Sequence, residues 1–490
     1  MATERRHVSG WYRRPMAALA LVAAFATLVP GAAFADSSTL PPKVKPAAGP
    51  DNGTFVRPSA PGSQTASSVR LGFCGGDDWE PDVATDPATN HVYAVWAHFP
   101  GATECDPASG NPRRIYISVS SDGGATFGAP HVVADLVSGL DYPNQVDCVV
   151  AVSDDGTVYV SFLAYGLKGG TDVAVARSTD FGATFAATKV NGVCSNCDHP
   201  WTVAHGPNVY TTYAQGKAHI LARSADGGQT WTDSVVLNAD AVAFPEGGVV
   251  DAAGNAWFAW GDCIKSSCTG APAATYRVSK TLAGTSITSF RTVAQGAQGP
   301  DCPFKICGYA YFGPQDDIAI DAGGNLYLVW QDGQVPGVPK SPPIVNLSRS
   351  RDGGATWQLV GRVDDKTTAG CAAASCYALF PRISAGAANR IGVIWMDDRN
   401  GAPIDHMNGW NVWYRSSTNA GNSWNGGGKR VSSPDPSRSE SQANGFKFPY
   451  GDYEDLEISG GLVHAIWGEG TNYAGGPSAP GHVIYASFAA

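Results

Sequence analysis

Acidic side chains stand at the starts of several short apolar segments of this sequence, with a tyrosine or an arginine close by. Crowded carboxylates raise one another's pKa, as general acid–base catalysis requires, and a pair of carboxylates carries out most glycoside hydrolysis. The candidate catalytic residues are Asp78, Glu246, Asp317, Tyr453 and Glu454. The candidate substrate-binding residues are two arginines and three aromatic residues that could stack on sugar rings, Arg382, Arg399, Trp79, Trp201 and Tyr311.

The same oxygen-rich positions could instead bind a hard cation. Ca²⁺ takes about six to eight oxygen ligands, and Asp316 and Asp452 could contribute to such a set. The histidines His199, His406 and His464 lack the spacing of metal ligands, so no zinc site is predicted. A structural interpretation also stays open, in which single carboxylates cap strand ends or accept hydrogen bonds from loop backbone.

Strands that could position these residues repeat along the chain. Seven apolar segments end in an aromatic residue, at Trp96, Phe162, Tyr213, Trp260, Trp330, Trp395 and Trp467. These segments are apolar on both faces, as expected for sheets that are covered on both sides. Short strands in repeated units with one signature per unit are typical of a β-propeller. The sequence thus predicts an all-β propeller of seven blades over residues 67–490, with six blades as the alternative.

A turn motif of the form S-x-D/N-x-G-x-T/S-W/F occurs five times between these strands. Its third position holds Asp122, Asp180, Asp226, Asp352 and Asn419. The side chain at that position can accept hydrogen bonds from the backbone two or three residues on, and the aromatic residue can anchor the next strand by burial. The motif resembles the Asp box, or bacterial neuraminidase repeat, of sialidase-like β-propellers. This resemblance implies a propeller and a structural role for the five residues.

The resemblance to sialidases also implies a catalytic arrangement. Sialidases hold the substrate carboxylate with three arginines, use a tyrosine nucleophile assisted by a glutamate, and use an aspartate as acid/base. Asp78, Glu246, Arg382 and Tyr453 stand in that order along the chain, and Arg399 could be a further arginine. The F/Y-R-I-P motif of sialidases is missing from the first unit, and no arginine triad can be assembled. Exo-α-sialidase is therefore the nearest named activity, without a full match.

Blade topology predicts the face on which a site would lie. In a four-stranded up-and-down blade, the turns between third and fourth strands lie on one face, here called the bottom face, and all five motif copies fall there. The other loops and the connections between blades lie on the opposite, top face, and they carry the cysteines. Because loops carry function, we expect the site at the top of the central channel. Residues 68–73 are expected to add a strand to the last blade and remove its exposed edge.

Residues 1–35 have the features of an export signal. Arginines precede an apolar run over residues 16–28, and a small-residue site predicts cleavage after about Ala35. An arginine pair before the apolar run leaves both general secretion and twin-arginine export open. Residues 36–66 are rich in Ser, Pro, Thr and Gly and should form a disordered linker. The mature protein is therefore expected to be secreted.

Cysteine content indicates disulfides, as is typical of an exported chain. Three pairs lie close in sequence, Cys263 with Cys268, Cys302 with Cys307 and Cys371 with Cys376. Among Cys148, Cys194 and Cys197, a bridge from Cys148 to one of the other two is favoured, which would leave one free thiol.

Net charge and composition narrow the partners and leave three functions open. The formal net charge of −10 disfavours nucleic acid and anionic membranes, so a monomer that binds a glycan or another small polar substrate is expected. The first function is a glycoside hydrolase at the top of the channel. The second is a non-catalytic propeller that binds a glycan or a protein, and the third is a Ca²⁺-dependent lyase or phosphatase. Ca²⁺ is the one cofactor that the sequence suggests.

Overall fold

The computed structural model describes most of the chain from Ser67 onward. The described residues are 67–72, 77–99, 113–166, 170–190, 194, 196–238, 243–263, 274–297, 314–333, 341–366, 376–400, 410–432, 453–470 and 481–490. Among them, no helix is long and apolar enough to cross a membrane. The predicted export signal (1–35) and linker (36–66) lie outside the described residues.

The described strands form seven antiparallel sheets of four strands each, numbered here as blades 1 to 7. Strand β1 (Ser67–Arg70) comes before blade 1. Blade 1 contains β2 (Asp77–Asp86), β3 (His91–Phe99), β4 (Arg114–Ser120) and β5 (His131–Val132). Blade 2 contains β6 (Asn144–Val152), β7 (Val158–Tyr165), β8 (Thr171–Ser178) and β9 (Ala186–Lys189). Blade 3 contains β10 (Cys197–His205), β11 (Asn208–Gln215), β12 (Ala218–Ser224) and β13 (Thr232–Asn238).

The remaining four blades follow in chain order. Blade 4 contains β14 (Ala243–Val250), β15 (Ala256–Cys263), β16 (Ala274–Thr281) and β17 (Thr288–Gly296). Blade 5 contains β18 (Asp316–Ile320), β19 (Leu326–Gly333), β20 (Pro343–Ser350) and β21 (Gln358–Arg362). Blade 6 contains β22 (Ala378–Ala385), β23 (Ile391–Asp397), β24 (Asn411–Ser417) and β25 (Lys429–Arg430). Blade 7 contains β26 (Glu454–Ser459), β27 (Leu462–Gly470) and β28 (Gly481–Ala489).

Ring closure uses the N-terminal strand, as the sequence predicts. Strand β1 pairs antiparallel with β28 and becomes the fourth strand of blade 7. The first strand of each blade contacts the first strand of the next, and β26 of blade 7 contacts β2 of blade 1. The prediction of a seven-bladed, all-β propeller closed by an N-terminal strand is confirmed, and the six-bladed alternative is wrong.

The hydrophobic core is divided among the interfaces between blades. Seven clusters of buried residues occur in the described part of the chain, one between each pair of neighbouring blades, including the pair of blades 7 and 1. Second strands such as β15 and β23 are buried along their whole length. This explains why the second strands of the sequence are apolar at successive positions, since each residue faces one neighbouring blade or the other.

The five repeated turns share one hydrogen-bond arrangement. In the turn at Asp352, Ser350 Oγ donates to Asp352 Oδ1 (2.8 Å), and the Thr356 amide and hydroxyl donate to the two Asp352 oxygens (2.9 and 2.6 Å). In the turn at Asn419, the amide Nδ2 instead donates to Ser423 Oγ (2.7 Å), which preserves the geometry. All five turns connect the third strand of a blade to its fourth strand, on the face opposite the predicted site.

Disulfide pairing differs from the prediction at one place. Cys194 and Cys197 are bonded to each other, and Cys148 is a buried free thiol, so the favoured bridge from Cys148 is wrong. The Cys148 thiol instead donates to the backbone carbonyl of Glu80 on blade 1 (3.2 Å). Cys263 and Cys376 are disulfide-bonded. Their predicted partners, and the predicted pair Cys302 and Cys307, lie outside the described residues.

Candidate functional site

Two cavities lie along the axis of the propeller. The first strands of all seven blades line an axial channel of about 570 Å³. The second cavity, here called the top pocket, lies nearer the beginnings of these strands and is much smaller, about 20 Å³ by the same measure. That volume has room for about one water molecule. Its lining includes the polar residues Asp147, His199, Glu246, Arg382, Tyr453 and Glu454.

β-Bulges in the first strands surround the top pocket. Register shifts occur in five first strands, β2, β6, β10, β14 and β22. Four bulge residues that are not glycine adopt positive φ: Glu80 (55°), Asp147 (55°), His199 (50°) and Phe380 (52°). Each such residue costs about 1–3 kcal/mol, and strain of this kind clusters at functional sites. Three of the four precede proline, a position that also disfavours this conformation.

A tyrosine, a histidine and a glutamate form a connected group in the top pocket. Tyr453 Oη lies 2.6 Å from His199 Nδ1, and Glu246 Oε1 lies 3.4 Å from the same nitrogen. Asp198 Oδ2 is 3.9 Å from Nε2, so a carboxylate lies near each ring nitrogen. In the tautomer that carries its proton on Nε2, Nδ1 accepts the hydrogen bond from the Tyr453 hydroxyl, and His199 can then take that proton.

Arg382 closes the floor of the top pocket above the axial channel. Its guanidinium donates to three backbone carbonyls, those of Glu454 (3.0 Å), Glu246 (2.7 Å) and Asp316 (3.1 Å). It also pairs with Glu246 Oε2 (3.2 Å), and Cζ lies 5.2 Å from the centre of a Trp201 ring. One side chain of blade 6 thereby ties together blades 3, 4, 5 and 7. Arg382 lines the top pocket, and four donor contacts to protein atoms engage its guanidinium; its role in substrate binding stays a prediction.

Asp147 in the lining of the top pocket is paired with a second carboxyl group, that of Glu80, which lies behind it. Glu80 Oε2 accepts a hydrogen bond from the Asp147 amide (2.6 Å). Burial, followed by the charge of Asp147 and a side-chain hydrogen bond to it, raises the pKa of Glu80 well above its usual range. This shift favours the protonated form of Glu80, whose carboxyl also hydrogen-bonds to the Asp147 side chain. Asp147 lines the pocket and is only partly buried, so the pair can exchange a proton with a bound molecule.

Glu454 and Asp316 are buried carboxyls near Arg382 that lack hydrogen-bond partners among the described residues. Glu454 is 1% exposed and Asp316 is fully buried, and neither oxygen of either group is hydrogen-bonded. Burial raises the pKa of both groups well above the usual range, and the charge of Arg382 opposes the rise. Glu454 lines the top pocket, whereas Asp316 points toward Gly261 of blade 4.

Asp317 belongs to the axial channel and has a structural contact there. Its Oδ2 accepts the amide of Ile383 in the next blade (2.8 Å) and its Oδ1 accepts the amide of Ile318 (2.8 Å). Asp82 and Asp455 make the same kind of bridge to the following blade. Burial raises the pKa of Asp317 to about 8. Asp317 therefore lines the channel and holds two first strands together, outside the lining of the top pocket; its catalytic role stays a prediction.

Asp78 and Trp79 lie outside the top pocket, between blades. Asp78 accepts hydrogen bonds from Trp96 Nε1 (3.0 Å) and His98 Nδ1 (2.8 Å) and lies 3.5 Å from His482 Nδ1 of blade 7. Burial opposes its ionisation, but the bonds from His482 and His98 outweigh burial and lower the pKa of Asp78 to about 2. Trp79 is fully buried in the core between blades 1 and 2. The structure thus places both residues away from the described lining of the top pocket, and their roles in catalysis and substrate binding stay predictions.

Arg399 also lies outside the described lining of the top pocket. It pairs with Asp397 (2.6 Å) and Asp365 (2.8 Å), and its guanidinium stacks on Trp413. These contacts give Arg399 a structural role at the end of β23, and its role in substrate binding stays a prediction. Tyr311 and Asp452 lie outside the described residues.

His199 and Asp147 are pocket residues that sequence reasoning did not select. Both stand at strand starts, and His199 was set aside because it lacks the spacing of a metal ligand. One signal in the sequence could have indicated these positions. A proline follows the bulge residue in three first strands, at Glu80-Pro81, His199-Pro200 and Phe380-Pro381.

Metal binding gains no support from the described residues. Within that part of the chain, no group of three or more His, Cys, Asp or Glu side chains is arranged to hold a metal ion. Arg382 places a positive charge among the carboxylates nearest the axis, which disfavours a cation there.

No family model matches this chain, and no curated protein matches it. It is similar to the crystal structure of a protein of unknown function from Dyadobacter fermentans, with 13% identity, 87% of this chain and 99% of that chain covered, and a TM-score of 0.46. It is also similar to a Hadza microbial sialidase (13% identity, 86% and 68% covered, TM-score 0.44) and to an ulvan lyase from a family of polysaccharide lyases (12% identity, 81% and 93% covered, TM-score 0.45). At these identities no activity follows from the likeness.

Proposed function

We propose that the top pocket hydrolyses glycosidic bonds, with Tyr453 as nucleophile, His199 as its base and Asp147 as general acid. The observation that carries this proposal is the 2.6 Å contact between Tyr453 Oη and His199 Nδ1. A phenol attacks carbon at neutral pH only when a neighbouring base takes its proton. The pair of Glu80 and Asp147 supports the second requirement, a proton held beside the pocket for the leaving group.

In the first step, Tyr453 Oη attacks the anomeric carbon and transfers its proton to His199 Nδ1. The bond from the anomeric carbon to the glycosidic oxygen breaks, and that oxygen leaves with the proton supplied through Asp147. The products are a glycosyl–tyrosine and an imidazolium. Glu246, 3.4 Å from Nδ1, stabilises the imidazolium by charge.

In the second step, Asp147 takes a proton from a water molecule, and the water oxygen attacks the anomeric carbon. The bond from that carbon to Tyr453 Oη breaks, and the phenolate recovers its proton from His199. Both proton-carrying groups return to their starting states. The net reaction consumes one water and cleaves one glycosidic bond.

Exo-α-sialidase is not the activity that the geometry favours. Recognition of a sialic acid carboxylate calls for arginine N–H groups that are free to make paired contacts. Arg382 is the one arginine in the described lining of the top pocket, and its N–H groups already bind Glu246 and three carbonyls.

The test is a hydrolysis screen of the purified protein on aryl glycosides and polysaccharides. We expect release of reducing sugar from at least one of them, with loss of about 10³-fold or more in Tyr453→Phe and about 10²–10⁴-fold in Asp147→Asn. Activity of Asp147→Asn should recover on substrates whose leaving group needs no proton, such as glycosyl fluorides.

Other outcomes of the screen would contradict the proposal. Full turnover by Tyr453→Phe would exclude Tyr453 as nucleophile. An unsaturated product with ultraviolet absorbance would indicate elimination and not hydrolysis. Binding of glycans by a protein that releases no sugar would favour the non-catalytic alternative.

We also propose that the protein is exported. The disulfide between Cys194 and Cys197 supports this location, because such bonds persist in oxidising compartments. N-terminal sequencing of protein from the culture medium should give a start just after about Ala35; protein found only in the cytoplasm would contradict the proposal.

A further inference from the structure

The carboxyl group of Glu454 is buried in the wall of the top pocket and has no hydrogen-bond partner among the described residues. The residue is 1% exposed, it lines the pocket, and both of its oxygens are unpaired. More than about nine-tenths of buried polar groups in proteins are hydrogen-bonded. This carboxyl therefore points to a ligand with hydrogen-bonding groups.

The environment of Glu454 sets the kind of hydrogen bonds it can make. Burial raises its pKa well above the usual range, the charge of Arg382 opposes this, and Asp455 adds to it. This shift favours the uncharged carboxyl, which offers one O–H donor and retains acceptor oxygens. Neighbouring hydroxyl groups of a sugar offer the matching set of acceptors and donors.

The cationic groups of the top pocket do not suit an acidic sugar. Arg382 is paired with Glu246 through Oε2 (3.2 Å) and is held by backbone carbonyls. To bind a substrate carboxylate it would have to release those partners in a buried setting, which is costly. Among the described lining residues, His199 is the other group that can carry positive charge, and it is engaged by Tyr453.

We propose that Glu454 is a specificity-determining residue that binds hydroxyl groups of an uncharged sugar, so that the top pocket takes neutral glycans in preference to sialic acids or uronates. The proposal rests on the proposed function for the place where substrate binds. It concerns binding, however, and binding can be measured without turnover.

The experiment uses the full chain carrying Tyr453→Phe, which keeps a bound sugar intact. Isothermal titration calorimetry measures binding of three neutral probes (xylotriose, mannotriose and N-acetyllactosamine) and two acidic probes (sialyllactose and trigalacturonate). We expect at least one neutral probe to bind, and to bind more tightly than either acidic probe. In the same background, Glu454→Ala should weaken that binding by about tenfold or more, and Glu454→Gln by less than about threefold because the amide keeps a donor and an acceptor.

Glu457→Gln is the matched control, since Glu457 lies on the same strand but lines the axial channel; its binding should be unchanged. If Glu454→Ala does not fold, Glu454→Met removes the polar group while filling the space. Tighter binding of an acidic probe than of every neutral probe would overturn the proposal, as would binding of no neutral probe or unchanged binding by Glu454→Ala. Neutral binding without hydrolysis by the parent would refute the proposed function alone, and hydrolysis confined to acidic substrates would refute this proposal alone.

Discussion

Replacing Arg382 by methionine tests the structural reading of the pocket floor. The change removes the partner of a buried glutamate, and loss of one member of a buried ion pair costs about 3–5 kcal/mol. It also removes the donor to the carbonyls of Glu454, Glu246 and Asp316, at about 1–3 kcal/mol for each carbonyl that water does not reach. We expect a loss of at least about 5 kcal/mol, close to the whole stability of a typical domain.

Urea unfolding followed by tryptophan fluorescence measures the effect of Arg382→Met, with Glu246→Gln as the matched partner change. Because the double variant has no unpaired buried charge, it should recover about 3 kcal/mol relative to the sum of the single changes. A loss below about 1 kcal/mol in Arg382→Met, or simple additivity with Glu246→Gln, would refute the assignment of Arg382 as a structural closure of the channel.

Three further predictions concern the pH dependence of stability, the repeated turns, and Asp78, which contacts both blade 1 and blade 7. The free energy of unfolding should fall as pH rises from about 4 to about 8, because burial raises the pKa of Asp317 and Glu457 to about 8 and the folded state keeps protons that the unfolded chain releases near its usual pKa of about 4. Glu457→Gln should flatten this dependence between pH 6 and pH 8 by up to about 1.4 kcal/mol per pH unit in urea unfolding, and an unchanged slope would contradict the role of Glu457. Asp180→Ala should cost about 1–2 kcal/mol because it removes the acceptor of three turn bonds, whereas Asn419→Asp should change thermal stability by less than about 0.5 kcal/mol; equal costs would refute the shared geometry. Asp78→Asn should lower the free energy of unfolding by about 1.5–3 kcal/mol and leave kcat within a few-fold of the parent. A large loss of kcat with unchanged stability would instead indicate that Asp78 is catalytic.

The fold could be predicted because its determinants are local and repeated. Each second strand carries a buried aromatic residue, such as Trp96 or Trp395, near its end, and apolar residues on both faces of a strand require a covering layer on each side. The closing strand β1 could be placed for a similar reason, since a ring with an open edge would expose unpaired backbone groups.

The sequence predicts a site at the starts of the first strands, but it could not select the side chains that line the top pocket, because bulges decide which of them reach it. A shift of one residue moves a side chain to the other face of a strand, and the bulge at Glu80 leaves Asp78 and Trp79 buried between blades. The equivalent bulges bring Asp147 and His199 to the pocket. Bulge positions depend on contacts between blades, which a reading of single strands does not contain.

Arg382 shows a second reason why the sequence could not identify the residues of the site. Its residue type suggested a substrate contact, but four partners from blades 4, 5 and 7 occupy its donors. Those blades lie far apart in sequence, and three of the partners are backbone carbonyls. No pattern of side chains along the chain marks such a closure.

The most direct test of the central claim is to trap the covalent intermediate on Tyr453. The protein is incubated with a fluorinated glycosyl fluoride of the sugar that it hydrolyses, digested, and examined by mass spectrometry. The account predicts one added glycosyl unit on the peptide that contains Tyr453, and no adduct in Tyr453→Phe. An adduct on a carboxylate such as Glu246, or steady turnover of the parent substrate without any adduct, would contradict it.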